Sequence, residues 1–471
     1  MRSFEPVIGM EVHVQLKTLS KLFCSCAVEY GAQPNSNVCP VCLGLPGVLP
    51  VLNNHAVELA IKLGLALNCD ITEYSRFARK HYFYPDLPKG YQITQYQEPL
   101  ARNGNIEIDG NRIRINRIIL EEDSGKSMHC GTETLVDFNR CGVPLIEIVT
   151  EPDLRNPEQA IGYLQHLRRI LQYLEVSDAD MEKGHFRCEP NISVHPEGAK
   201  FGTRTELKNL NSLRNVRDAL EYEIKRQSEI LKSGEKVIQE TLYWDEAKMV
   251  TGSMRGKEES EDYRYFPEPD LPPLLITKDE IEKLRQELPV LPEKRKEYFI
   301  KELGLTEANA KVLISDKAIA DYFEEVLKHF SEPKIIANWL ITEVGGILNE
   351  KKISIRELGI QAPSIAKLLA MIKKGEITGK VAKEVFAEMV ETKTEPDVIV
   401  AKKGIGRIDD ENLLNSVVDE VLKANPDVVD KFKKGKTTVI GFLVGEVMRK
   451  TKGKFLPQKV NEFIIKKLAL P

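Results

Sequence analysis

Acidic residues set in apolar sequence are the first sign of chemistry in this chain of 471 residues. Ile118-Ile119-Leu120 runs straight into Glu121-Glu122-Asp123, and Pro144-Leu145-Ile146-Glu147-Ile148-Val149 reads as a buried strand with one carboxylate at its centre. An ionised carboxylate in an apolar setting is costly unless it is paired or holds a metal. Something cationic must therefore sit beside these acids. Residues 7–16 (VIGMEVHVQL) offer a companion set. Val12 and Val14 turn one way on an extended strand, and Glu11, His13 and Gln15 turn the other. Donors at i and i+2 on one face suit a metal or a phosphate, and they equally fit the solvated face of a half-buried strand.

A second constellation is built of sulfur. Cys24-Ser25-Cys26 is followed after twelve residues by Cys39-Pro40-Val41-Cys42. Two close cysteine pairs on two loops have the spacing of a four-cysteine zinc knuckle, although the first pair is CxC rather than CxxC. Four thiolates fill a tetrahedron, so Cys24, Cys26, Cys39 and Cys42 are expected to hold a structural zinc with no position for a catalytic water. Cys69, Cys130, Cys141 and Cys188 have no close partner in sequence and are expected to be packing residues.

Residues 79–92 hold Arg79, His81, two lysines and three tyrosines, broken by two prolines. They are expected to form a ligand-binding loop, or else an aromatic surface turn. Further on, Arg187, Glu189, Asn191 and Ser193 alternate on one predicted strand face, and Arg204, Glu206 and Lys208 on another. Ser212 is a plausible N-cap for a helix with Leu213, Val216, Leu220, Ile224, Gln227 and Leu231 along one stripe. Residues 252–270 form a charged, aromatic loop. Beyond Pro292 the strand pattern gives way to amphipathic helices over 320–329, 335–348, 364–374 and 380–391, with 395–406 as the expected linker. From Lys431 to Pro471 eleven Lys/Arg face two acids. That excess suits a phosphate backbone or a solvated tail.

Composition sets the frame. The length fits roughly three domains. A net charge of −4 excludes nucleic-acid binding by bulk charge, so any such role falls to a local patch. No apolar run approaches the ~20 residues that cross a bilayer, and the N-terminus lacks a secretory pattern. The expectation is a cytoplasmic protein with no membrane role, whose cysteines are free or metal-bound. Gly125-Lys126-Ser127 and Gly435-Lys436-Thr437 mimic the end of a phosphate loop. The glycine required five residues earlier is replaced by Leu120 and Asp430, so neither is one.

Taken together, VIGMEVHVQL, the CxC…CPVCLGLPGVLPVLN stretch, ARKHYFYPDLPKGYQITQ, LEEDSGKS, PLIEIVTEPD, RCEPNIS, ELKNLNS and DYRYFPEPD resemble the B subunit of the glutamyl/aspartyl-tRNA amidotransferase, the GatB/GatE family. The resemblance spans nearly the whole chain. No stretch is long enough for the extra domain of the archaeal GatE relatives, so the bacterial-type GatB fits better. The resemblance implies an α+β chain: a β-rich cradle with the zinc knuckle (1–291), an all-α helical domain (292–405) and a small all-α YqeY-like tail that binds tRNA (406–471).

It also implies ATP-dependent transamidation of misacylated Glu-tRNA(Gln) or Asp-tRNA(Asn). ATP phosphorylates the side-chain carboxylate, and ammonia from a glutaminase partner then displaces phosphate. The implied partners are the GatA amidase subunit, the small GatC subunit and tRNA(Gln) or tRNA(Asn). The implied cofactors are ATP, Mg2+ and Zn2+. By motif, Glu11, His13, Glu121 and Glu147 would hold magnesium, with Glu121, Glu147, Lys80 and Tyr82 as catalytic residues and Glu121 taking a proton from the attacking amine. Tyr84, Lys89, Arg187, Glu189, Asn191, Arg204, Glu206 and Lys208 would meet ATP or the tRNA acceptor end. Lys433, Lys434, Lys436, Arg449, Lys450, Lys452 and Lys454 would meet the tRNA backbone. Two competitors stand beside this reading: a non-catalytic zinc-knuckle scaffold that binds tRNA, and a zinc hydrolase, which the four-cysteine count disfavours.

Overall fold

The computed structural model describes residues 4–108, 110–255, 263–404, 411–433, 437–451, 455 and 457–468. The chain divides into two compact units, Met1–Pro292 and Glu293–Pro471.

The first unit is built on a nine-stranded sheet. Phe4–Gln15 lies near its middle, antiparallel to Phe186–Pro196 on one side and to Pro144–Thr150 on the other. Pro144–Thr150 pairs in turn with Asn111–Glu122. Thr205–Lys208 joins beyond Phe186–Pro196. Period-two alternation divides the sheet into two faces. Ile8, Met10, Val12 and Val14 share one face with Ile118, Leu120, Ile146 and Ile148, and all are essentially inaccessible. Four helices contribute to this core: Asn54–Ala66, Pro157–Tyr173, Leu213–Lys232 and, through Leu284, Lys278–Gln286. Burying each such side chain stabilises the unit by roughly 1.5–3 kcal/mol. Asn53, Asn156 and Ser212 accept backbone N–H bonds at the starts of the first three, so the cap expected at Ser212 is present.

A small sheet orders Phe266–Pro267, Phe77–His81 and Tyr91–Gln95. Residues 79–92 are therefore not one loop: Arg79, Lys80 and His81 end one strand, and Tyr91 and Gln92 begin the next. The density of charge hid the strand, because its cations are paired rather than solvated. Arg79 grips the buried Glu268 carboxylate at 2.7 and 2.9 Å.

Gln227, which the helical stripe placed among apolar residues, is buried in a polar knot. Glu223, fully buried, accepts from Arg226 (2.7 and 2.8 Å), Thr205 (2.9 Å) and Gln227 (2.8 Å). Removing one member of a buried ionic network strands the others, at about 3–5 kcal/mol. Glu223→Ala is expected to lower the melting temperature of the protein by about 10 °C, and differential scanning calorimetry reads it directly.

The second unit is helical throughout its described residues and holds two separate cores, one within 299–400 and one within 414–464. The expected linker at 395–406 is corrected. Pro396–Lys403 is a helix with Pro at its first turn and Gly404 as a left-handed cap. Its Ile399 and Val400 are buried in the first of those cores, so composition misled where packing decides. Residues 405–406 lie outside the described residues. Among the cysteines outside the knuckle, Cys69, Cys141 and Cys188 are buried as expected, whereas Cys130 is exposed at the end of a surface strand, Lys126–Cys130. That strand also removes Gly125-Lys126-Ser127 as a phosphate loop, since no helix follows it.

Candidate functional site

Strand register assembles the acids. His13 stands opposite Glu147 on one neighbouring strand and Arg187 on the other. Glu11 faces Glu189, Leu145 faces Glu121, and Asn191 faces Glu206. Residues directly opposite share a face. Arg117, Glu121, Glu147, Glu11, His13, Arg187, Glu189, Asn191, Glu206 and Lys208 thus all lie on the face turned away from the helices.

At the centre, His13 Nε2 lies 3.6 Å from Glu11, 3.8 Å from Glu121 and 3.7 Å from Glu147. One donor atom each from Glu11, His13 and Glu147 falls within 4.8 Å of the others. Lone-pair donors gathered this closely suit a divalent cation, and the carboxylates suit a hard one such as magnesium. Electrostatics shows a site that calls for positive charge, which the His13 proton supplies and which a metal ion would replace on binding. Burial first, and Glu147 next, push the Glu11 carboxyl up to about 7. Burial works against the His13 imidazolium, yet the hydrogen bond to Glu147 and the Glu121 charge hold it up at about 9. Glu121 is also raised, by burial and then by Glu147. Glu147 is lowered in spite of its burial, because His13 and Arg117 face it. So much negative charge in one buried place favours a cation.

The surroundings fix these groups. Thr94 donates to Glu121 at 2.8 Å. Arg117 lies 3.5 Å from Glu147. Lys208 bridges Glu189 at 2.7 Å and Glu206 at 3.2 Å. Asp123 takes Arg187 at 3.0 Å and Arg140 at 3.6 Å, and against its burial these guanidinium groups hold its carboxyl below the usual range. Lys80 stands 4.6 Å over the Tyr263 ring, and Glu121 sustains its charge against burial. Tyr82 donates to Gln92 at 3.3 Å. Beside Glu11 opens a cavity of about 920 Å³, lined by Arg117, Asn191, Arg204, Glu206 and Thr150 among others.

Two residues of the sequence-derived set stand apart from this cluster. Lys89 is buried against Glu122, which points to the opposite side of its strand from Glu121 and also accepts from the Ile93 N–H at 2.9 Å. Tyr84 is more than half exposed and meets Tyr82 edge to face. Arg117, Thr94 and Arg140 carry no role in the sequence reading. Arg117 was within reach of it, two and four residues before Ile119 and Glu121 on one strand face. Thr94 and Arg140 arrive from other segments, so only the fold brings them in.

The four cysteine sulfurs also lie within 4.8 Å of one another. Thiolates on a zinc at ~2.3 Å stand about 3.8 Å apart, so this clustering fits a tetrahedral zinc. The Cys24 hydrogen bond, joined by the Lys21 ammonium, holds the Cys42 thiol down at about 4. Burial, with Cys39 next, pushes Cys26 up to about 11. Gly44 closes the knuckle at φ +67°, where a Cβ would collide with the Lys89 side chain.

Of the basic tail, Arg449 pairs with Glu446 at 2.6 Å and Lys450 with Glu420 at 2.8 Å. Lys434, Lys436, Lys452 and Lys454 lie outside the described residues, and of Lys433 only the backbone is described. Among the described residues, no helix is long and apolar enough to cross a membrane.

Comparison with known proteins adds the family context. A family model described as the GatB/GatE catalytic domain matches residues 6–282, and one described as a GatB domain matches residues 321–468. The chain is 53% identical to the B subunit of the aspartyl/glutamyl-tRNA(Asn/Gln) amidotransferase of Carboxydothermus hydrogenoformans, covering 100% of each. It is 53% identical to the protein of the same name from Persephonella marina over 98% of each. With that from Solidesulfovibrio magneticus it shares 50% over 99% of this chain and 100% of the other.

Proposed function

The chain belongs to the GatB/GatE family as a B subunit of a tRNA-dependent amidotransferase, and on that footing we propose that it converts Glu-tRNA(Gln), Asp-tRNA(Asn) or both to the amidated forms. ATP phosphorylates the side-chain carboxylate of the esterified amino acid, releasing ADP. Ammonia from the glutaminase partner, GatA, then attacks the acyl carbon, phosphate leaves, and a nearby carboxylate receives the proton. GatC completes the complex. The observation that carries this reading is the convergence of Glu11, His13, Glu121 and Glu147 on one sheet face beside a cavity large enough for a nucleotide.

In this reading Glu11, His13 and Glu147, with Glu121 beside them, hold Mg2+, which supplies stabilisation of phosphoryl oxygens. Arg117 keeps Glu147 ionised and oriented. Thr94 fixes the Glu121 carboxyl so that it faces the reacting amine, and its raised proton affinity suits it to accept that proton. Lys80 and Tyr82 approach from the neighbouring small sheet and steady the transferred group. Arg187, Glu189, Asn191, Arg204, Glu206 and Lys208 line the route by which ATP reaches the acids; Tyr84 and Lys89, which stand apart from the cluster, take no part in it. The knuckle serves as a structural zinc site in the cradle, residues 1–291. Residues 292–405 form the helical domain.

The direct test is to assemble the complex with its glutaminase partner, ATP and Mg2+ and to follow the amino acid on the RNA. Gln-tRNA(Gln) or Asn-tRNA(Asn) must appear with stoichiometric ADP; an RNA-binding scaffold would leave the amino acid unchanged. Residues 406–471 act as the tRNA-binding tail in the same reading. Replacing Lys433, Lys434 and Lys436 with glutamine is expected to flatten the slope of log affinity against log salt by about 2. The rate at saturating tRNA stays unchanged. An unaltered slope would return the basic excess to a solubility role.

A further inference from the structure

From the tyrosines on the small sheet we infer that Tyr96 and Tyr265 form a stacking platform for an unpaired nucleobase at the 3′ end of the aminoacylated RNA. The inference rests on the transamidation reading and adds positioning residues to it.

The two rings stack with centroids 4.0 Å apart and planes 3° from parallel. Tyr263 abuts Tyr265 edge to face at 6.0 Å and Tyr82 at 6.1 Å, so aromatic rings run without a break from Tyr96 to Tyr82. Tyr96 nevertheless keeps 49% of its surface exposed. A shallow hollow of about 60 Å³ opens beside the pair, lined by Tyr96, Tyr265, Phe266 and Arg76. A flat aromatic surface kept open to solvent is what base stacking requires, and every base presents a π-face to it.

Register aims the platform at the reacting centre. On the small sheet Lys80 stands opposite Gln92, and Ala78 opposite Thr94. Tyr96 follows directly on that strand, in the turn after Gln95, where its ring stacks on Tyr265. Tyr265 directly precedes Phe266, which pairs with Arg79, and Lys80, Glu121 and Glu147 all act on its phenol. Thr94 donates to Glu121, and Lys80 sits over Tyr263. The platform therefore adjoins the acid cluster from the side of the small sheet. The 920 Å³ cavity adjoins the same cluster through Glu11, from the side of Asn191 and Arg204. Two substrates must meet at those acids. The larger cavity, with Arg117 and Arg204 in its lining, suits a nucleoside triphosphate, and the open tyrosine face suits a strand end that must enter and leave with its amino acid attached.

The test uses the complete amidotransferase complex carrying Tyr265→Leu, Tyr96→Leu or Tyr265→Phe. Leucine keeps apolar bulk but removes the π-face, whereas phenylalanine restores it. Each leucine variant is expected to raise KM for Glu-tRNA(Gln) about tenfold. KM for ATP, kcat and the melting temperature stay unchanged, and Tyr265→Phe behaves as the parent. A second measurement needs no turnover: affinity for full-length tRNA against tRNA trimmed of its unpaired 3′ nucleotides. Trimming weakens binding to the parent and has no further effect on Tyr265→Leu. An unchanged KM for the RNA in both leucine variants overturns the inference. So does a rise confined to ATP, which would give the tyrosines to the nucleotide's base. If the parent complex makes no amidated tRNA, the functional reading falls, and the trimmed-tRNA comparison still decides the platform.

Discussion

Glu121→Gln is expected to lower transamidation by about 10²- to 10⁴-fold, with tRNA affinity retained and the melting temperature unchanged or higher. The substitution removes one charge and almost no volume. Its amide carbonyl can still accept from Thr94, which now donates to Glu121 at 2.8 Å. The carboxylate is buried, and that burial, with its repulsion from Glu147 next, favours its neutral form. A neutral amide removes that penalty, so stability is not the quantity that suffers. Glu147→Gln supplies the contrast. Glu147 lies 3.7 Å from His13 and 3.5 Å from Arg117, so its loss leaves the guanidinium without this acid and the metal site one carboxylate short. That variant is expected to lose activity and about 1–3 kcal/mol of stability together. Two carboxylates across one strand pair thus differ by environment: Glu121 carries a reaction role alone, and Glu147 a reaction role and a structural one. Steady-state kinetics on the assembled complex, with calorimetry on both variants, separates them. Normal turnover by Glu121→Gln would remove the site assignment while leaving the fold untouched.

Why is so much of the site legible in the sequence? Period-two alternation is a local property, and it places Glu11 with His13, and Arg187 with Glu189 and Asn191, on their faces. An acid amid isoleucines announces a missing cation, and the sheet delivers His13 and Arg117 beside it, with Lys80 coming from the small sheet. What stays hidden depends on distant pairing. Thr94 belongs to a different sheet and reaches Glu121 only because the strand Tyr91–Gln95 lies against the end of Asn111–Glu122. Arg79 reads as a loop cation because its partner, Glu268, is 189 positions away. Pro396 and Gly404 read as linker punctuation, although the same residues are the start and stop of a helix whose Ile399 and Val400 are buried. Lys89 and Glu122 show the limit of motif matching. Glu121 faces His13, while its neighbour Glu122 turns the other way, into a buried pair beneath the cysteine knuckle.

The second large effect concerns that knuckle. Removing zinc with a strong chelator, or Cys42→Ser, is expected to lower the melting temperature by about 10 °C or more, with one zinc per chain in the untreated protein by elemental analysis. Without a metal the sulfurs resist ionising together: burial and then Cys39 raise Cys26, while Cys24 and Lys21 stabilise charge on Cys42. A dication permits four thiolates, leaving the site net negative, and Lys21 compensates part of that charge. Its side chain is fully buried, with Nζ 3.5 Å from Cys42 Sγ and 3.2 Å from the Phe138 carbonyl oxygen. Take away the zinc and that ammonium keeps only the Cys42 sulfur as a counter-charge, while the other sulfurs lose the dication that held them together. The damage then spreads through Gly44, whose backbone packs on Lys89, to the buried Lys89–Glu122 pair. Lys21→Met separates the two contributions, since it keeps the bulk and removes the charge. Zinc should leave that variant faster under chelator competition, because nothing then offsets the negative cluster. Cys42→Ser with an unchanged melting temperature, or protein purified without chelator and found free of zinc, would show that packing alone closes these two loops.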